Sequence, residues 1–313
     1  MRTLVARSDW RGARQTLGHL GLLGLTATGT LWSAAQLAWP ITGLFLFLHG
    51  TVAYFGINAV HELGHGTVFR TRALNAFFMR VFAFISWTNF EVFNQSHARH
   101  HRYTLHPPDD LEVVMPKRMW LLNYLRRAFI DPQAIWQVWH KAIRLAAGRF
   151  DDPWEAEVCP PGSSERQRAV RWARIHLAGH LALIVWGGLT GNWLIPVLTT
   201  FLPGYGAWLF LSCNETQHIG LGEHLTDFRQ CCRTFTANPV VEFLYWHMNY
   251  HIEHHMFAAV PCYHLASLHR QIHADLPPCP HGIIKTWREI GAILQRQERE
   301  PDYFYLPHLP GQS

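Results

Sequence analysis

Two stretches of the chain hold no aspartate, glutamate, lysine or arginine: Gln15 to His61, 47 residues, and Ile175 to Asn214, 40 residues. A helix needs about 20 apolar residues to cross a hydrocarbon layer of roughly 30 Å. Each stretch therefore predicts two spans joined by a tight turn, over residues 17–38 and 41–60, then 174–190 and 193–213. Trp39-Pro40 marks the first turn and Gly191-Asn192 the second. Trp32, Trp39, Trp186, Trp193 and Trp208 fall where interfacial tryptophans belong.

The pattern predicts an all-α integral membrane fold: four transmembrane helices in two hairpins, with a cytosolic helical cap. The rival is a soluble helical protein with two buried hairpins, but charge-free runs of this length exceed ordinary core helices. All arginines and lysines lie outside the two hairpins, and both turns carry none. Positive residues favour the cytoplasm. The N-terminus, residues 62–173 and residues 215–313 are therefore expected on the cytosolic side. Leu74–Phe93 is apolar but holds Arg80 and Glu91, and reads as a helix in the interface or under the cap. Asp151–Arg174, charged and proline-bearing, reads as a loop, and Pro301–Ser313 as irregular. The division expected is a basic N-terminal segment 1–16, a membrane domain 17–275 and a cytosolic tail 276–313.

Composition sharpens this. Charged residues make up only 16% of the 313, against about 25% in a soluble domain. The mean hydropathy of -0.04 still leaves large polar parts outside a bilayer. The net charge of +5 fits a membrane surface; no basic stretch matches a nucleic-acid reader. The six cysteines form no C-x-x-C pair, which argues against a zinc ribbon or iron–sulfur cluster and fits a reducing compartment. Arg2, Arg7, Arg11 and Arg14 precede an apolar stretch too long for a cleavable signal.

Histidine is the outlier, with 22 residues. Three boxes concentrate them: His61-Glu62-Leu63-Gly64-His65, His97-Ala98-Arg99-His100-His101 and His251-Ile252-Glu253-His254-His255. Positions i, i+3 and i+4 of a helix share a face, so one box offers two or three nitrogens to a compact site. One zinc takes three or four protein ligands. The eight histidines of the boxes suffice for two metals, each with an open position. Imidazole suits iron, copper or zinc, so the ligand type alone does not choose the metal.

At these residues the chain resembles the membrane fatty acid desaturase superfamily, with its related hydroxylases and ketolases. The likeness runs from about Gly43 to Asp275 and is carried by H-E-L-G-H at 61–65, H-A-R-H-H at 97–101 and N-Y-H-I-E-H-H-M-F at 249–257, then Val260-Pro261 and His264-Leu265. It implies four membrane helices, a cytosolic cap and two non-haem iron ions. Dioxygen would be the co-substrate, and a ferredoxin or small b-type cytochrome would supply electrons from outside. It also implies a ninth ligand after the last span, where His218 is the best match. Asn214, His247, Asn249, Glu62 and Glu253 are the residues expected to support the ligands without binding metal. One or two carboxylates that accept the outer N–H of a ligating imidazole are expected among Glu62, Glu253, Asp109, Asp110, Glu215, Glu223 and Asp227.

The expected reaction is the introduction of a double bond into an aliphatic chain, with a fatty acyl chain lying in the bilayer as the expected substrate. Hydroxylation or ketone formation on a lipid or small metabolite is the alternative. Two further rivals differ in kind. A zinc metalloprotease would use His61, Glu62 and His65 as H-E-x-x-H, but leaves the other boxes without a role. A metal transporter needs ligands along a path across the membrane, whereas these gather at one surface. His49 and His180 fall inside predicted spans and are expected to hydrogen-bond between helices.

Overall fold

The computed structural model describes residues 2–113 and 120–311. Its first element is α1 (Asp9–Ala35), capped by Ser8, whose side chain accepts from the Arg11 amide. α1 buries a polar stripe, Thr16, His19, Thr26, Thr30 and Ser33, and exposes Leu17, Leu25 and Trp32. That is the reverse of a soluble helix, where the apolar stripe faces inward. The chain turns at Leu37 and Ala38, and Pro40 then sits in the first turn of α2 (Trp39–Tyr54). After a break at Phe55 comes α3 (Gly56–Gly64). Trp39–Gly64 together are long and apolar enough to cross a membrane, and among the described residues no other helix passes that test.

α4 (Arg72–Ile85) packs back on α3, and α5 (Phe90–Tyr103) follows, capped by Asn89. The amphipathic α6 (Leu121–Phe129) and α7 (Pro132–Ala146) come next, then the short α8 (Pro153–Val158). α9 (Ser164–Thr190) starts about ten residues before the expected span and takes in much of the segment read as a loop. Ser163 caps it by accepting from the Arg166 amide, with Glu165 in the first turn, a proper helix start despite the charge. Gly191, at φ 68, ends it where the turn was expected.

The span expected over 193–213 is not one helix. It divides into α10 (Leu194–Thr199), a 3-10 turn at Leu202–Gly204 and α11 (Trp208–Asn214). Pro203 lies in that turn, and Gly206 follows at φ 83. A Cβ on Gly206 would come within 2.6 Å of the Gly50 backbone, so two backbones meet there where only glycine fits.

The remaining helices are α12 (Phe228–Cys231), α13 (Pro239–Leu244), α14 (His251–Met256), α15 (Cys262–Ile272) and α16 (Ile283–Gln297). α16 lies in the expected tail, and Thr286, Ile290 and Ile293 bury it against the rest. Among the described residues no extended strand forms, only isolated bridges such as Thr234 with Tyr250. All six cysteines are free. The fold is all-α, with α3, α5 and α14 meeting through Val60, Leu63, Phe90 and Tyr250 in one buried core.

His49 and His180 tie helices together. His49 bonds Thr26 at 2.9 Å and the Leu198 carbonyl at 3.0 Å. His180 bonds the Thr200 hydroxyl and the Phe84 carbonyl, each at 3.2 Å, between the rings of Phe84 and Trp87.

Candidate metal centre

The nine histidines converge in two sets. His61, His65, His97, His101 and His254 form one; His100, His218, His251 and His255 form the other. Within each set the ligand nitrogens lie within 4.8 Å of one another. The sets abut: the His101 ring stacks on His255 with centroids 4.4 Å apart.

The helix repeat explains the division. On α5, His97 and His101 are four residues apart and join the first set, while His100 turns to the second. On α14 the sense is reversed: His251 and His255 join the second set and His254 the first. α3 contributes His61, and His65 caps its end. His218 does not share a helix with Asn214, because α11 ends at Asn214 and His218 lies in the turn beyond.

Outer hydrogen bonds orient the rings. The Nδ1 of His97 meets Glu112 at 2.7 Å, that of His100 meets Asp110 at 2.8 Å, and that of His61 meets Glu62 at 3.0 Å. The Nδ1–H of His218 donates to the Cys231 carbonyl at 2.8 Å. The Thr104 hydroxyl donates to the His100 carbonyl, so its oxygen accepts from Nδ1–H of His255 at 3.2 Å. Each such bond places the proton on Nδ1 and leaves the Nε2 lone pair free.

Those Nε2 atoms face one another. His97 and His65 approach to 3.2 Å, His254 and His101 to 3.1 Å, His251 and His218 to 2.9 Å, and His255 and His251 to 3.2 Å. Two nitrogens at a right angle on one ion, each roughly 2.0–2.1 Å from it, stand about 3 Å apart. The donor spacing therefore fits a metal ion in each set. Burial, reinforced by neighbouring imidazoles, holds His97, His251, His254 and His255 well below the ordinary histidine range, and His218 at about 3. Neutral rings are the form that binds metal.

Of the acids expected to support ligands, Glu62 and Asp110 touch box histidines, and Glu62 also lies 3.3 Å from Nδ1 of His254. Asp110 is held in place by the amides of Leu105 and Glu112. Burial is the largest single influence and opposes its ionisation, but the bond and charge of His100 together with the amides of Glu112 and Leu105 outweigh it and keep the carboxyl below its usual range. Glu253 bonds Thr234 and His269 instead of a box histidine. Glu215 pairs with Arg127 and Asp227 with Arg229. Glu112 was not among the expected acids; burial lifts it to about 7, and it also accepts from Ser96 at 2.6 Å. His247 sits at φ 58 outside both sets, with a buried Nδ1 that has no partner. Asn249 donates to the Phe235 carbonyl at 2.9 Å, and so braces the approach to box three.

The arrangement is nine imidazoles in two adjoining groups, with His61, His97 and His100 hydrogen-bonded to carboxylates. The sequence model of the family described as fatty acid desaturase matches residues 37–287, well over half of the chain. The chain belongs to this family. The matched range runs from the start of α2 into α16 and contains all nine histidines. No curated protein matches the chain closely enough to count as a relative. Family membership and the paired sets together describe a desaturase-superfamily protein with a site for two metal ions.

Proposed function

We propose that the chain is a membrane-embedded oxidase that introduces a double bond into an acyl chain, with an iron ion in each histidine set. The observation that carries this reading is the facing of Nε2 lone pairs in two adjoining sets, with the outer nitrogens fixed by Glu62, Asp110, Glu112, Cys231 and Thr104. Bound iron would supply, from dioxygen and two electrons of an external donor, the oxidising power that side chains lack for an unactivated C–H bond.

The chain's own contribution is placement. An apolar cavity of about 200 Å³ is lined by Ala53, Tyr54, Ile57, Ile85, Leu202 and Phe210, among others. Ile57 stands one helical turn before His61. A second apolar cavity, of about 330 Å³, shares the walls Ile85 and Leu202 and runs between α1, α2 and α10. Together they provide a route for a hydrocarbon chain toward the histidines, and their apolar walls would keep water from the reacting carbon.

The bilayer is the source of that chain. α1 and α9 each have 27 residues, about 40 Å at 1.5 Å per residue. Their outward Leu25, Trp32, Leu181, Val185, Trp186 and Leu189 are exposed, as in a lipid-facing surface. We place four crossings at α1, α2–α3, α9 and the broken α10–α11, with both termini and the histidines on the cytosolic side. A ferredoxin or small b-type cytochrome would deliver electrons there.

The test is mass spectrometry of lipids from cells making the wild type or His254→Ala. Loss of two hydrogens in the wild-type product supports desaturation, and gain of one oxygen supports hydroxylation. Identical lipids in both cells would overturn either reading. Metal analysis separates these from a one-zinc protease.

A further inference from the structure

A separate cavity of about 140 Å³ lies behind box three, and none of the nine histidines lines it. Its walls include Arg233, Thr234, Ile252 and His269, with Lys285 and Glu289 from α16. Arg233 is the unusual member. It is 8% exposed, its Nη1 donates to the Thr216 carbonyl at 2.6 Å, and its Nη2 has no hydrogen-bond partner. Burial draws the guanidinium down to about 10, against an opposing pull from Glu289.

Among the described residues no carboxylate comes within ion-pair distance of Arg233 or of Lys285. Glu289, one turn after Lys285, is exposed to solvent. The cavity thus gathers two cations against one acid, and the deeper cation has no carboxylate in direct contact, only the more distant pull of Glu289. A buried charge without a partner is costly. Guanidinium is suited to planar or tetrahedral oxyanions, which it holds through two N–H donors. The space is roomy enough to admit a group the size of a carboxylate or phosphate.

We propose that this cavity binds a small oxyanion, the phosphate or carboxylate group of a soluble molecule, between Arg233 and Lys285. The occupant would rest against Thr234 and His269. Both of these bond Glu253, which is fully buried at the centre of α14. The Thr234 hydroxyl also accepts from the Ile252 amide at 3.1 Å. Occupancy would therefore brace the helix that carries His251, His254 and His255, without touching a histidine of either set.

The experiment is calorimetric titration of inorganic phosphate, and separately of acetate, into the purified metal-loaded full chain in detergent, at constant ionic strength. Sodium chloride is the control. Saturable binding of either anion is expected, weakened about fivefold by Lys285→Met. Arg233→Met should abolish it. Because that variant removes a buried group and could fail to fold, the exposed Lys285 decides the outcome. Glu289→Gln, which removes the competing acid, should not weaken binding. Absence of saturable binding in the wild type overturns the proposal. So does binding that Lys285→Met leaves unchanged, since the anion would then sit elsewhere, such as on the metals.

Discussion

Glu112 accepts from His97 across a span of fifteen residues, at 2.7 Å, and accepts from Ser96 with its other oxygen. It is a carboxylate that belongs to no box and yet orients a box histidine. Groups of this kind typically change metal affinity 10- to 100-fold when lost. Glu112→Ala is expected to lower metal affinity by about that factor, while Glu112→Gln keeps part of the bond and loses less. Competition with a chelator of known affinity measures it. Equal affinities for wild type and Glu112→Ala would rule out the orienting role.

Metal content should depend on which set is damaged. The set built on His218 has four donors and the set built on His65 has five. His218→Ala is expected to reduce the purified protein from two ions per chain to about one, whereas His65→Ala retains two with the weaker ion lost first to chelator. Elemental analysis of both variants decides it. Equal loss in both would contradict the division into sets.

The acyl route makes a size prediction. Ile57→Trp fills the cavity one turn from His61. Overfilling a packed site typically costs 1–3 kcal/mol, so the variant should fold and lose long-chain product while keeping any short-chain product. Chain-length profiles from expressing cells provide the comparison. A proportionate loss at every length would point away from this cavity.

Gly206→Ala should be disproportionately harmful for one methyl group. The residue has φ 83, and the added carbon would lie 2.6 Å from the Gly50 backbone. Backbone cannot rotate aside as a side chain does, so destabilisation of roughly 1–3 kcal/mol is expected. A fall of several degrees in detergent-solubilised melting temperature would show it. Gly43→Ala, where nothing lies within 4 Å, is the matched control.

Topology is open to labelling. Single cysteines at Leu37 and Asn192, in the two helix-connecting turns, should react only from outside the cell. One at Asp302 should react only after permeabilisation. Labelling of all three from one side would remove the four-crossing arrangement.

What could be read from the sequence was what depends on short-range repeats. The spacings 61/65, 97/100/101 and 251/254/255 gather imidazoles within about one helical turn whatever the surroundings, although His100 and His254 then turn from their box partners to the neighbouring set. Glu112 was hidden because its reach depends on how residues 104–112 fold back, through Asp110 bonds to the amides of Leu105 and Glu112. Ser163 and Glu165 signal the early start of α9, whereas the charge and prolines of 151–174 predict a loop. The division of the fourth expected span follows from Pro203 and Gly206, local breakers set inside an otherwise continuous apolar run. Arg233, far from any box in sequence, acquires its setting only when α16 packs beside it.

The opposite handing of α5 and α14 between the two groups has a mechanical result. Each of these helices presents two side chains to one set and one to the other. Twisting either rod would shift donors of both sets at once, so neither position would be adjusted alone. Filling one position should therefore stiffen the frame around the other, so that the second ion binds more tightly once the first is in place.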